Sequence, residues 1–320
     1  MIEFTQYIHF ATIALTGAIN AVGVGIGQGI TSFTAIESIN RQPAARNEIF
    51  KTAILGLALI ETAAVLGTFI SFMLILQART INHTLFGGLA EIGIAFAICC
   101  SGFVLGIVSS WPARSACIAV ARQPFFSQHI IRFMMISLSL LQTPIIFGLI
   151  IALFIQSQTG LITNFRDSFR LIASGICIGL GSIGPAIGLA TFAQSACQGL
   201  GINRNAYRSL FSFTLISQAI IETPIIFALI VSISLIFIPI STQENIIDGI
   251  SLLAAGLCTG IGTIGTGISS GLTATAACEQ IAHNPDNYTT LSRITMFAQG
   301  LIETSAIYAV LISFLLLFYR

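Results

Sequence analysis

The chain has 320 residues, 55% of them hydrophobic, with a mean hydropathy of +0.94. Asp, Glu, Lys and Arg make up only 8%, against roughly 25% in an ordinary soluble domain, too few to cover a soluble fold of this size. The formal charge of +1 excludes a nucleic-acid binder driven by a basic surface, and the apolar content excludes a disordered chain.

A helix crosses a bilayer with about 20 apolar residues, and the chain holds many runs of that length. The first is predicted as a helix from about His9 to Ile39. A polar turn over Asn40 to Asn47 follows, and a second helix returns from about Phe50 to Leu76. The same pattern recurs along the chain. The expected fold is an all-α membrane protein of eight transmembrane helices in four tandem hairpins, over residues 1–80, 81–161, 162–241 and 242–320. Turn residues mark the later loops: Gln123-Pro124, Asn203 to Asn205, and Asn284-Pro285-Asp286. Met1-Ile2-Glu3-Phe4 has no basic stretch before the first apolar run, so no cleaved signal peptide is expected.

The repeat is explicit around one position. Glu61-Thr62-Ala63-Ala64-Val65 returns as Gln142-Thr143-Pro144-Ile145-Ile146, as Glu222-Thr223-Pro224-Ile225-Ile226 and as Glu303-Thr304-Ser305-Ala306-Ile307, with the threonine kept in all four copies. In the same register, Arg41-Gln42-Pro43 returns as Arg122-Gln123-Pro124, Ile202-Asn203-Arg204 and His283-Asn284-Pro285. Gly23, Gly25, Gly27 and Gly29 align with Gly265, Gly267, Ser269 and Gly271 in the fourth copy and with Gly184, Ala186, Gly188 and Ala190 in the third. The second copy fits worst, with Val104, Gly106, Val108 and Ser110.

Basic residues orient the spans. Arg41, Arg46, Lys51, Arg114, Arg122, Arg132, Arg204, Arg208 and Arg293 lie in or beside the hairpin loops, whereas Arg79, Arg166, Arg170 and Arg320 lie in the connectors and near the ends. The loops are expected on the cytoplasmic or matrix side and the termini on the opposite side. The histidines, His9, His83, His129 and His283, read as residues of the membrane boundary. The seven cysteines show no metal or disulfide spacing and read as small packing residues.

Charge within a span is costly and marks function. Glu61, Glu222 and Glu303 sit mid-helix at one repeat position, which points to reversible ion carriage. In apolar surroundings a carboxyl favours its neutral, protonated form, and the ionised form needs a cation, water or an arginine. The small residues of the first helix allow close helix approach and suit the crowded inner wall of a ring. Gln28 lies one helix over, at about the depth of Glu61. Its carbonyl, with the hydroxyls of Thr62, Thr223, Ser270 and Thr304, can support an ion. The counterparts of Gln28 are Ser109, Leu189 and Ser270; Leu189 supplies no oxygen, so a full sodium site in every copy is not expected.

The Gly27-Gln28-Gly29 helix, the Arg41-Gln42-Pro43 loop and the Glu61-Thr62 pair resemble the proteolipid c subunit of F-type rotary ATP synthases, here as four fused hairpins. The resemblance implies a rotor ring of several copies with the Gly-rich helices inside, bathed in membrane lipid. It implies that Glu61, Glu222 and Glu303 carry H⁺, with Na⁺ as the alternative ion and no cofactor. It also implies a stator a subunit that loads and unloads the sites, and central-stalk subunits that meet Arg41, Gln42, Pro43, Arg122, Gln123, Pro124, Arg204, Asn284 and Pro285. Gln142 cannot ionise, which leaves a degenerate site and three carriers on four hairpins. Fewer ions per turn favour ATP-driven pumping, so a proteolipid like those of vacuolar-type ATPases is the alternative. The membrane is expected to be a bacterial plasma membrane or an organelle inner membrane. A repeat-built secondary transporter is the more distant reading, because two-span units all keep one orientation, unlike inverted repeats. The chain itself carries no catalytic triad, metal motif or phosphate loop.

Overall fold

The computed structural model describes residues 2–77, 85–239 and 246–318. In a bilayer every backbone polar group must be paired within the segment, which leaves helices as the solution for apolar runs of this length. The described residues are helical throughout, with eight spans long and apolar enough to cross a membrane. His83, Arg79, Tyr319 and Arg320 lie outside the described residues.

The first pair is α1 (Ile2–Arg41) and α2 (Arg46–Gln77). The second is α3 (Leu85–Val108) with α4 (Ser110–Arg122), followed by α5 (Ser127–Leu141) with α6 (Thr143–Gln158). The third is α7 (Phe165–Ile202) and α8 (Tyr207–Ile236), and the fourth α9 (Ile246–His283) and α10 (Tyr288–Phe318). Each pair turns through a single 3-10 turn: Pro43–Ala45, Pro124–Phe126, Arg204–Ala206 and Pro285–Asn287. A residue before proline is pushed out of the helical region; Gln42, Gln123 and Asn284 have φ of −137°, −133° and −136°, and the first helix stops there. The third loop has Arg204 in place of proline. There the Asn203 side chain accepts a hydrogen bond from the Asn205 backbone N–H at 3.0 Å and closes the turn instead.

The second pair breaks where the others run on. Pro112 has no N–H to give Val108 and its ring crowds that carbonyl; α3 ends at Val108 and α4 begins at Ser110. Pro144 acts likewise on Leu140, and the helix breaks at Gln142. Both interruptions fall at the level of the repeated acid position. Pro224 lies inside an unbroken α8.

The first helices α1, α3–α4, α7 and α9 stand side by side in chain order, and the second helices pack along one face of that row. Glycine permits the contact. A Cβ on Gly27 would overlap the Gly106 carbonyl, one on Gly106 would sit 2.7 Å from the Gly23 carbonyl carbon, and one on Gly188 would overlap the Gly267 carbonyl. The row leaves two open edges, α1–α2 and α9–α10. On them Gly25, Gly29 and Gly265 face open space.

Two buried charge clusters lie on the connector side. His9, 2% exposed, pairs through Nδ1 with Glu91 Oε2 at 2.7 Å, so it is packed between α1 and α3. Arg170 folds back into the bundle and donates to the Ile236 carbonyl at 2.7 Å and to the Ile238 carbonyl, capping the end of α8. Asp167 lies 3.6 Å from its Nε. Arg170 thus acts as a helix cap.

Candidate functional site

The four repeated positions line up at mid-span on the second helices. Glu222 and Glu303 are half-buried, Glu61 is exposed, and Gln142 is buried at 8% exposure. The arrangement follows from the order of the pairs: each acid position is met by the threonine of the preceding pair. Thr62 Oγ1 donates to Gln142 Oε1 at 2.7 Å. Thr143 Oγ1 lies 3.2 Å from Glu222 Oε1. Thr223 Oγ1 contacts Glu303 Oε1. One register thus occurs three times. The sequence sets Thr62 beside Glu61 and Thr223 beside Glu222; in the structure each hydroxyl serves the next copy's site. Thr304, the last in the series, is exposed and, among the described residues, bonds the Leu301 carbonyl of its own helix at 2.7 Å.

The hydroxyl chemistry distinguishes the sites. Pro144 and Pro224 deprive the Leu140 and Ile220 carbonyls of their helical N–H partner. Thr143 Oγ1 donates to Leu140 O at 2.6 Å, and Thr223 Oγ1 donates to Ile220 O. A hydroxyl has one proton and two lone pairs. With that proton engaged on its own helix, each threonine offers a lone pair, which a protonated glutamic acid can fill by donating its O–H. Gln142 behaves differently. Its Oε1 can only accept, so the Thr62 hydroxyl, which also stands 2.8 Å from the Leu59 carbonyl of its own helix, turns its proton to the amide, while Gln142 Nε2 donates to that carbonyl at 2.9 Å. The amide therefore takes up the place of a protonated acid with its hydrogen bonds met and no charge to lose.

The remaining expected residues are distributed around this line. Gln28 is half-buried on α1. Ser270 is fully buried and accepts from Gln299 Nε2 at 3.1 Å. Neither Gln299 nor its repeat partner Gln218 was anticipated from the sequence, although the 81-residue offset between them is visible there. Among the described residues no group of three or more His, Cys, Asp or Glu could hold a metal ion.

The hairpin loops share one end of the bundle. Arg41, Pro43, Arg122, Arg204 and Asn284 are exposed, and Gln42, Gln123, Pro124 and Pro285 half-buried. Gln123 Nε2 donates to the Gly201 carbonyl at 3.1 Å, and Asn203 Nδ2 to the Ala282 carbonyl at 3.0 Å. These two loop amides thus clamp the end of the next pair's first helix. Between the second and third loops lies a groove of about 520 Å³, lined by Arg122, Pro124, Asn203 and Arg204 and rimmed by the fully exposed Phe125.

Comparison with known proteins agrees with this arrangement. The family model for the ATP synthase C subunit matches residues 11–74, 172–235 and 253–316, the first, third and fourth pairs. An ATP synthase c subunit of Dehalococcoides mccartyi (strain CBDB1) is 42% identical over 72 residues, covering 22% of this chain and 95% of that protein. One of the ATP synthase c subunits of Cereibacter sphaeroides is 43% identical over 68 residues, 21% of this chain and 82% of that protein. That of Clostridium beijerinckii is 41% identical over 56 residues, 18% and 79%. Three matched segments on one polypeptide, each falling on a helical pair with the same site register, show that the chain belongs to the ATP synthase C subunit family.

Proposed function

We propose that Glu61, Glu222 and Glu303 each carry one H⁺ across the membrane and that Gln142 marks a silent position in the same ring. Membership of the family supports an ion-translocating rotor role. The observation that carries the finer reading is the threonine-to-acid register, in which Glu222 and Glu303 each meet a hydroxyl whose own proton is engaged on its own helix; Glu61, at the open edge, has no such partner among the described residues. A protonated carboxyl is held there by donating to that oxygen and crosses the lipid-facing part of its circuit neutral, without the cost of a bare charge in hydrocarbon. Opposite a stator subunit the proton leaves and the charged site waits for the next one. Gln142 passes that point without exchanging anything.

Ring closure follows from the open edges. Gly267 and Gly106 pack against the pair before them, and both are counterparts of the open Gly25. Gly271 packs against Gly188 and is the counterpart of the open Gly29. Gly23 and Gly184 pack against the pair after them, and both are counterparts of the open Gly265. A second copy placed head to tail fills these positions and brings its Glu61 to the unused Thr304. Such heterologous contacts close into rings. The exposed arginines and Phe125 at the loop end form the surface for the central stalk, through which rotation couples to ATP synthesis or hydrolysis.

Carbodiimide labelling of the intact complex, read by peptide mass spectrometry over a pH series with and without Na⁺, tests the carrier reading. Labelling of Glu61, Glu222 and Glu303 with little effect of Na⁺ is expected. Labelling of surface acids alone contradicts the carrier role, and protection by Na⁺ changes the ion.

A further inference from the structure

The amide that the first repeat places on its first helix has moved, in the third and fourth repeats, to the second. Repeat one has Gln28 on α1 and Leu57 on α2; repeat three has Leu189 and Gln218; repeat four has Ser270 and Gln299. Gln218 and Gln299 each precede their glutamate by four residues. On a helix, such a pair stacks on one side with Cβ atoms about 5–6 Å apart, and the later side chain leans back toward the earlier one. Glu222 therefore leans over Gln218, and Glu303 over Gln299.

Both amides are 0% exposed. Gln299 Nε2 reaches across the helix seam to Ser270 Oγ at 3.1 Å and to the Ser270 carbonyl at 3.3 Å, the position from which Gln28 starts in the first repeat. Its Oε1 is left without a partner, as are both polar atoms of Gln218. A buried amide without partners is costly, and a native interior that keeps one calls for an explanation in function. The group in contact with Glu222 is the Thr143 hydroxyl from α6, and Gln218 lies one turn earlier on the same helix. Among the described residues no ion pair involves Glu222 or Glu303.

We infer that Gln218 and Gln299 are positioning residues for Glu222 and Glu303, their amide carbonyls accepting from the loaded carboxyl in the place that Gln28 fills for Glu61. This rests on the carrier reading above. The amide and the threonine approach the carboxyl from two helices, so the loaded acid is held on both sides. Repeat two, with Ser109 and Leu138 at these positions, has no such amide and no acid to hold.

The test is carbodiimide labelling of the assembled complex carrying Gln218→Leu, a residue already present at the equivalent Leu57 and Leu138. Labelling at Glu222 near neutral pH is expected to fall about five-fold, the equilibrium worth of one net hydrogen bond, and its pH profile to move toward acid. Labelling at Glu61 and Glu303 stays as in the parent. Adding Leu189→Gln, which returns the amide to the first helix, is expected to restore Glu222. Gln299→Leu is read the same way through Glu303. An unchanged pH profile at Glu222 overturns the inference and leaves the carriers standing, as does an equal loss at all three carboxyls. A parent complex in which Glu222 is never labelled removes the carrier reading itself.

Discussion

Thr143 Oγ1 stands 3.2 Å from Glu222 Oε1, although the two residues belong to different helical pairs. Fusing the pairs has therefore not produced self-contained sites. Each acid position depends on the pair before it, and the polypeptide holds three such joints within itself and leaves one at its two edges.

The Thr143 contact has a direct consequence. Thr143→Val removes the acceptor for a protonated Glu222 and also leaves the Leu140 carbonyl, already deprived by Pro144, without its donor. Labelling at Glu222 near neutral pH is expected to fall by about five-fold, one net hydrogen bond, whereas Thr143→Ser keeps it. Site-resolved mass spectrometry after carbodiimide treatment reads both variants.

Gln142 is held on both sides of its amide, by Thr62 and by the Leu59 carbonyl. Gln142→Glu, protonated, can keep both hydrogen bonds, its carbonyl accepting from Thr62 and its O–H donating to the Leu59 carbonyl, and adds a fourth ionisable position. A new labelled carboxyl is expected at residue 142, with ions moved per ATP rising in the ratio 4 to 3. The ratio is measured from the ion gradient at which synthesis and hydrolysis balance. Gln142→Leu is expected to destabilise the assembled protein by about 1 kcal/mol, through loss of the amide's hydrogen bonds to Thr62 and the Leu59 carbonyl, with Thr62 still able to donate to that carbonyl; thermal denaturation in detergent reads it.

Much of this was legible in the sequence. Eight spans, four copies and the acid positions follow from apolar length and from the repeat, because a bilayer leaves a long apolar run little choice but a helix. The breaks at Ser109 and Gln142 were not anticipated, although Pro112 and Pro144 cause them: Pro224 lies inside an unbroken helix, so proline alone does not decide. The partner of each threonine was not legible either, since it is set by how neighbouring pairs stagger. The partner of His9 was not legible, because Glu91 lies 82 residues away on another helix.

That buried pair gives a stability prediction. His9→Ala leaves Glu91, 3% exposed, without the imidazole. Leaving a buried polar group without its hydrogen-bond partner costs about 1–3 kcal/mol. The change is expected to lower the melting temperature while leaving labelling at Glu222 and Glu303 intact in the folded fraction. His9→Ala with Glu91→Leu is expected to recover most of the loss.

The glycines separate folding from assembly. Gly27→Ala forces a Cβ into the Gly106 carbonyl within one chain, and overpacking of this kind costs about 1–3 kcal/mol. Gly25 has nothing within 4 Å of its Cβ position, so Gly25→Val is expected to leave the single chain as stable as the parent and to block ring formation. Native electrophoresis beside thermal denaturation distinguishes the two.

The most direct test joins the two edges. Glu61 and Thr304 lie on the outermost pairs of one chain, and head-to-tail closure brings them together only between successive copies. In the assembled complex, Thr304→Val is predicted to lower carbodiimide labelling at Glu61 near neutral pH about five-fold, one net hydrogen bond, with Glu222 and Glu303 unchanged. Labelling at Glu61 that does not respond to Thr304 would contradict head-to-tail closure and the relay of threonine to acid on which the proposed ring depends.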